Sequence, residues 1–512
     1  MLFADAPLLQ PGQPATVTHH AAYFEWLHSV LPQPLFHTQA FLCFFLIIFS
    51  AYWIIPRQWK NLRVGLLVAA SFHFYAAWNY ELAFLVTGTT IIDYLLARIM
   101  DGTENRRGRI GLLVSSIAMN LGVLCYFKYR GFFVNELHDA LTSLGYSAGF
   151  DKLTALDVIV PFGISFYTFE AISYAVDVFK RKIPAEKSLP HFLLFILFFP
   201  HLVAGPIVRG GDFLRQAHRV KRWNWVRVQV GVQLFLLGLF KKLAIADRMA
   251  VFSDPVLQHP GAYNSSAVWL ATLAYAFRIY ADFSGYSDMA VGTAHLFGYK
   301  LVQNFNMPYL SANVTEFWRR WHISLSTWLR DYLFIPLGGS RGTPRQTNRN
   351  LMVTMALGGL WHGASWGYLV WGLLHGVYLI VHKKFHAFAS RKPELDAALQ
   401  TPLGTAGRVL FTFFSVTVAW VFFRPDVANA LVILKKMFLP ELVGKTLPLH
   451  NRSLWYTVLF VLACHVVVAR GWWQRAWPRV PAELAGVGYA TCLIVSLVLA
   501  PDTEQTFIYF VF

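Results

Sequence analysis

Histidines set in an apolar background are the groups in this sequence best suited to chemistry. Between Asn350 and Ile380 the only acid or base side chains are His362, within Gly358-Gly359-Leu360-Trp361-His362-Gly363, and His375. A neutral imidazole in a cavity is the commonest general base near physiological pH, because its pKa lies close by. No serine-centred elbow, HExxH zinc spacing or phosphate-binding glycine loop accompanies it. The chemistry left is removal of a proton from a hydroxyl or thiol that attacks an acyl donor, with a hydrogen-bonded structural histidine as the competing assignment. On an unbroken helix His362 and His375 point about 140° apart, so they serve one site only if the chain breaks, as Gly363 would allow. Gly359 and Gly363 also form a small-xxx-small pair that admits a second backbone.

A second polar cluster precedes it. On a helix from Thr315 to Ile335, Trp318, His322, Leu325 and Leu329 share one face, with Arg319 and Arg320 rotated away. Glu316 and Arg320 are four apart and so can pair. One reading is an interfacial amphipathic helix with an arginine-rich wet side. The other gathers Arg319 and Arg320 with Arg341, Arg345 and Arg349 at the mouth of a cavity, where they attract a substrate bearing phosphates.

These residues need an unusual frame. Of the 512 residues 56% are hydrophobic and only 14% charged, against roughly 25% charged in soluble domains, so the chain reads as a polytopic membrane protein. The net charge of +17 does not indicate nucleic-acid binding: the cations lie in short loops between apolar runs, where they hold loops inside the cell and meet anionic lipid. Cys43, Cys125, Cys464 and Cys492 are isolated and read as small core residues, and no metal-ligand spacing is present.

Residues 1–36 contain no Lys or Arg and read as a non-cleaved extension on the outer side, with Ala21–Leu31 as an interfacial helix. The remainder, 37–512, reads as one membrane-embedded domain with its core motifs in 158–425. Spans are expected at about Thr38–Ile55, Leu66–Trp78, a third ending before Arg98, Ile110–Tyr126 and Val158–Val178, where Glu170 needs a partner. Between two basic flanks, Phe192–Val208 carries Pro200, His201, Gly205 and Pro206 and suits a broken, re-entrant element. A kinked span is the alternative. A helix over Val226–Leu239 and another over Val268–Phe297 follow. In the latter Arg278 and Asp282, four apart, are expected to pair with each other. After the central motifs come Val409–Phe423 and two or three further spans. The fold class is therefore all-α, with roughly 11–13 crossing or re-entrant helices.

FWRRWHISLSTWLRDYLFIPLGGSR (Phe317–Arg341) and GGLWHGASWGYLVWGLLHG (Gly358–Gly376) resemble the membrane-bound O-acyltransferase superfamily. Within it they resemble the branch containing bacterial alginate O-acetyltransferase membrane subunits. The resemblance covers roughly residues 38–425 and implies helices around a central tunnel. It makes His362 the principal catalytic histidine and His322 the second functional position. Arg319, Arg320 and Arg341 become candidates for donor binding, and Trp318, Trp361, His201 and Asp282 for the cavity wall.

It further implies an acetyl donor used as substrate, acetyl-CoA, with no bound cofactor. Periplasmic acetyltransferase partners would complete an inner-membrane complex that O-acetylates an exopolysaccharide such as alginate. D-alanyl, lipid or protein acylation, and a non-enzymatic export role, are the alternatives. The acceptor is not legible in these motifs, and the extension 1–36 departs from the branch's usual start.

Overall fold

In a computed structural model of the chain, residues 36–144, 160–424, 426–446, 451–501 and 507–508 are described. The Ala21–Leu31 helix expected from the sequence lies outside them, as does almost all of the extension. The described residues form helices joined by short loops, with no named strand among them. Among the described residues six helices are long and apolar enough to cross a bilayer: Tyr80–Gly102, Arg106–Ser143, Trp225–Gln258, Pro402–Trp420, Arg452–Ala469 and Ala482–Leu499. Their outer faces leave Phe84, Ile99, Phe411, Tyr456, Leu459 and Val498 exposed, as a surface solvated by lipid requires.

The centre is built around Ser265–Leu296, a helix of 32 residues, about 48 Å long at 1.5 Å per residue. Asn264 starts it by accepting a hydrogen bond from the Ala267 amide at 2.9 Å. Gly285 and Gly292 face Gly238 and Gly231 of the Trp225–Phe240 helix, and a Cβ on any of the four would meet the facing backbone. Seven-residue spacing on both helices keeps these contacts on one seam.

Ion pairs secure the same helix, though not the pair expected from spacing. Arg278 binds Asp254, and Asp282 binds Lys242 at 3.1 Å while also accepting the Ile508 amide at 2.8 Å. Lys242 in turn contacts Asp247 at 2.8 Å. Partners from neighbouring segments outcompete the i, i+4 contact because they bring opposite charges into a site otherwise closed to water.

Several of the basic segments gather at one end of the bundle. Arg63 donates to the Lys221 carbonyl at 3.1 Å, His218 meets Glu186 at 2.8 Å, and Arg109 donates to Val178 and Phe179 carbonyls. Arg209 lies 3.6 Å from Asp331. Both flanks of the segment around His201 are therefore at this end. Between them Leu189–Leu197 rises for nine residues, breaks at Phe198, continues as Phe199–Leu202 and returns. This is the re-entrant geometry that Pro200 and Pro206 suggested. It is tolerated because Glu170 accepts the Val208 amide at 2.7 Å and His201 lies 3.4 Å from Glu170.

Two segments depart from expectation. Arg106–Leu124 does not end at Tyr126 but runs through a wider turn, Cys125–Tyr129, into Arg130–Ser143. The single Thr315–Ile335 helix is two, Val314–Arg320 and Ile323–Leu329, followed by a wide turn at Arg330–Phe334.

Candidate active site

His362 is the last residue of Pro344–His362, a helix opened by Pro344 and by a reciprocal capping box between Thr343 and Gln346. Gly363 ends it in extended conformation, and a Cβ there would strike the Tyr368 ring. The chain then turns back as Trp366–Ala389, which crosses close to the first helix. Gly359 lies against Tyr368 and Gly372, and a Cβ on Gly372 would meet the Met355 carbonyl. This return brings Trp371 to 5.1 Å from the His362 ring, and Phe423, just past the later Pro402–Trp420 helix, lies at 5.0 Å, between centroids.

His322 reaches the same place from the broken helix. Its φ of 42° is left-handed, a conformation that costs a non-glycine residue of order 1–3 kcal/mol and persists only where surrounding contacts dictate it. Asn304 supplies those contacts. Its carbonyl accepts the Ile323 amide at 2.9 Å, and its side-chain oxygen accepts the Ser324 amide at 3.2 Å and hydroxyl at 2.7 Å. The second helix thus starts from a fixed anchor, and the buried His322 ring lies 6.3 Å from that of His362. Phe283 at 4.6 Å and Trp361 at 5.8 Å complete its surroundings.

Beside His362 is a recess of about 60 Å³, walled by Lys128, Ser165, Phe166, Val203, Trp361 and His362 among others. Val203 comes from the tip of the re-entrant element. Val160–Phe162 form a lip at the end of Ile164–Phe179 remote from the basic loops. His322 is not in this wall; it stands one ring behind, against Trp361.

Lys128 was not singled out from the sequence, yet it organises this corner. Its ammonium donates to the carbonyls of Trp361 at 2.8 Å and His362 at 3.0 Å, and to the Ser165 hydroxyl at 3.1 Å. Tyr129 donates to the Leu360 carbonyl at 2.7 Å. Three of the carbonyls left over at the end of the His362 helix are thereby satisfied, by a cation placed where the helix dipole favours one. A lysine within the apolar run Cys125-Tyr126-Phe127-Lys128-Tyr129 was the available signal.

The other candidates fall as follows. Trp361 lines the recess and donates to the Ser165 carbonyl at 3.2 Å. Trp318 donates to His375 at 3.3 Å. His201 braces the re-entrant turn with Glu170, and Asp282 sits in the Lys242 cluster. Arg319 and Arg341 are exposed, and Arg320 binds Glu316 at 2.6 Å, as their spacing suggested.

A bundle of long apolar helices around a re-entrant segment, with two histidines in its interior, defines a multi-pass helical membrane protein. Residues 35–423 match MBOAT, the membrane-bound O-acyltransferase family. The chain belongs to this family and is an acyltransferase. It is 41% identical over 396 residues to the probable alginate O-acetylase AlgI of Azotobacter vinelandii, covering 76% of this chain and 75% of that one. The same-named protein of Pseudomonas aeruginosa is also 41% identical over 396 residues, covering 76% and 72%. The peptidoglycan O-acetyltransferase of Helicobacter pylori is 37% identical over 434 residues, covering 79% of each.

Proposed function

We propose that this protein takes acetyl groups from a cytosolic thioester, acetyl-CoA, and passes them across the inner membrane for O-acetylation of an exopolysaccharide. The observation that carries this reading is the meeting of His322 and His362, from separately folded segments, at 6.3 Å beside a recess. The acetylases and acetyltransferase among its relatives support acetyl as the group transferred.

In this reaction the acceptor hydroxyl attacks the acetyl carbonyl and His362 takes the hydroxyl proton. The carbon–sulfur bond breaks, and the proton leaves with the thiol. His322 orients donor or acceptor from behind Trp361. Lys128 and Tyr129 are positioning residues that fix the turn carrying His362. All three ammonium hydrogens of Lys128 are committed to the protein, so it acts through that turn. The basic end is cytoplasmic by the positive-inside rule, and the exposed Arg319 and Arg341 there receive the donor's phosphates together with Arg320. The lip at Val160–Phe162 then faces outward, where a periplasmic acetyltransferase partner presents the acceptor.

His362→Ala is expected to abolish acetylation of cell-surface polysaccharide while the protein still inserts in the membrane. Acetylation retained by that variant refutes the assignment. Loss of the polymer itself on deletion of the chain would instead indicate an export role.

A further inference from the structure

A second concave site lies at the basic end, built by different segments from those of the histidine recess. The end of Gln39–Ile54 and the loop before Trp225 border an open groove of about 440 Å³ between Trp53, Arg57, Arg63, Lys221, Arg222 and Trp223. Arg63 is 6% exposed. Its guanidinium lies 5.0 Å from the Tyr52 ring and 5.1 Å from Trp53, and donates to the carbonyls of Ile55 and Lys221. The Lys221 ammonium donates to the Gln216 carbonyl at 2.6 Å and rests 4.1 Å from the Tyr299 ring centroid.

Every partner named here is neutral. Among the described residues none of these four cations has a carboxylate within 4.0 Å. Burial, with Arg227 and Arg219 nearby, pushes Lys221 down to about 7, as expected where cations are gathered without a counter-charge. Arg57 and Arg222 are exposed at the mouth, with their donors available to an incoming oxyanion.

The surroundings indicate what carries that anion. Trp59, Trp223 and Trp225 are exposed around the groove, and Ile54, Ile47 and Leu46 are exposed on the adjoining helix. Indole rings at this level mark the membrane interface, and an apolar helix face continuing from a cationic pocket suits an acyl chain below a phosphate. We infer that this groove binds the phosphate of an anionic phospholipid, with Arg57 and Arg222 closing on the headgroup and a tail lying along the exposed face of Gln39–Ile54. The bound phosphate would supply the missing counter-charge where Arg63 ties the first helix to the loop that follows the re-entrant segment.

The test uses the full-length protein in detergent, titrated with dioleoylphosphatidylglycerol, dioleoylphosphatidylcholine or inorganic phosphate, with binding read by native mass spectrometry and by the shift in melting temperature. Arg57 and Arg222 lie outside the proposed catalytic and donor-binding groups, and their side chains make no hydrogen bond or ion pair among the described residues. Arg57→Ala/Arg222→Ala should therefore fold and retain acetyl transfer in detergent while binding phosphatidylglycerol about 30-fold more weakly, from the usual worth of a basic residue at an anionic surface. Wild type should prefer phosphatidylglycerol to phosphatidylcholine, and millimolar phosphate should not compete. Equal binding of the two lipids, or an undiminished affinity in the double variant, overturns the site. Competition by phosphate at equal concentration overturns the lipid and leaves only an anion pocket.

Discussion

Replacing Lys128 by Met tests whether the end of the His362 helix must be held for the reaction to proceed. Met retains much of the length of the side chain and removes the donors. The Trp361 and His362 carbonyls lose charged hydrogen bonds of 2.8 and 3.0 Å, each worth about 1.5–3 kcal/mol. Two effects offset that loss in stability. Water can enter the recess to meet the carbonyls, and a cation with no carboxylate within 4.0 Å among the described residues is removed from an apolar region. A net destabilisation of about 1–2 kcal/mol is expected.

Activity should suffer more. A displacement of about 1 Å in a reacting group costs on the order of 100-fold, and releasing the last turn frees His362 to move by that much. The measurement is transfer of labelled acetyl in proteoliposomes, beside the thermal stability of the same preparations. kcat should fall about 100-fold, with KM for the donor within about threefold, because the lost interaction orients the base rather than the donor. Lys128→Arg keeps the charge and offers several N–H donors to the same carbonyls and should recover activity to within about tenfold of wild type. Turnover of Lys128→Met within threefold of wild type, or a loss no greater than the loss of folded protein, would refute the positioning role.

Other expectations follow from the same geometry. His322→Gln keeps the buried space against Phe283 and Trp361 filled, so thermal stability should fall by no more than about 1–2 kcal/mol while acetyl transfer falls at least tenfold; transfer within about threefold of wild type would count against a functional His322. Gly359→Ala drives a methyl into the Tyr368 carbonyl and should destabilise by about 1–3 kcal/mol, measurable as a lower melting temperature. The depressed Lys221 pKa gives a pH signature in lipid-free detergent. The folded group is held at about 7 and the unfolded one near 10.4. The unfolded state therefore binds more protons between those values, and stability rises with pH across that window. Lys221→Gln should flatten the rise in melting temperature, and an unchanged slope in that variant would exclude Lys221 as its source.

How much of this was legible in the sequence differs by residue. Composition and the length of the apolar runs determined a helical membrane protein, because hydrocarbon leaves a chain of this kind few other ways to satisfy its backbone. The distribution of Lys and Arg marked the loops that the structure collects at one end, and the prolines and glycine around His201 marked the broken element. Isolation in an apolar run singled out His362 together with His375, and the resemblance of the surrounding motifs pointed to His362 and His322 as the functional pair.

Only the tertiary structure decided that the two histidines meet. His322 sits at a break imposed by Asn304, and His362 at a helix end held by Lys128. Neither Asn304 nor Lys128 is on the helix it constrains, so no periodicity within those helices could reveal the contact. Arg278 and Asp282 make the same point in reverse: their spacing permits a local pair, and opposite charges on neighbouring segments claim them both. Periodicity reports which face of a helix is buried. Which groups share that interior is set by the packing of segments far apart in the chain, because a polar group shut away from water must take the partner that the fold brings within reach.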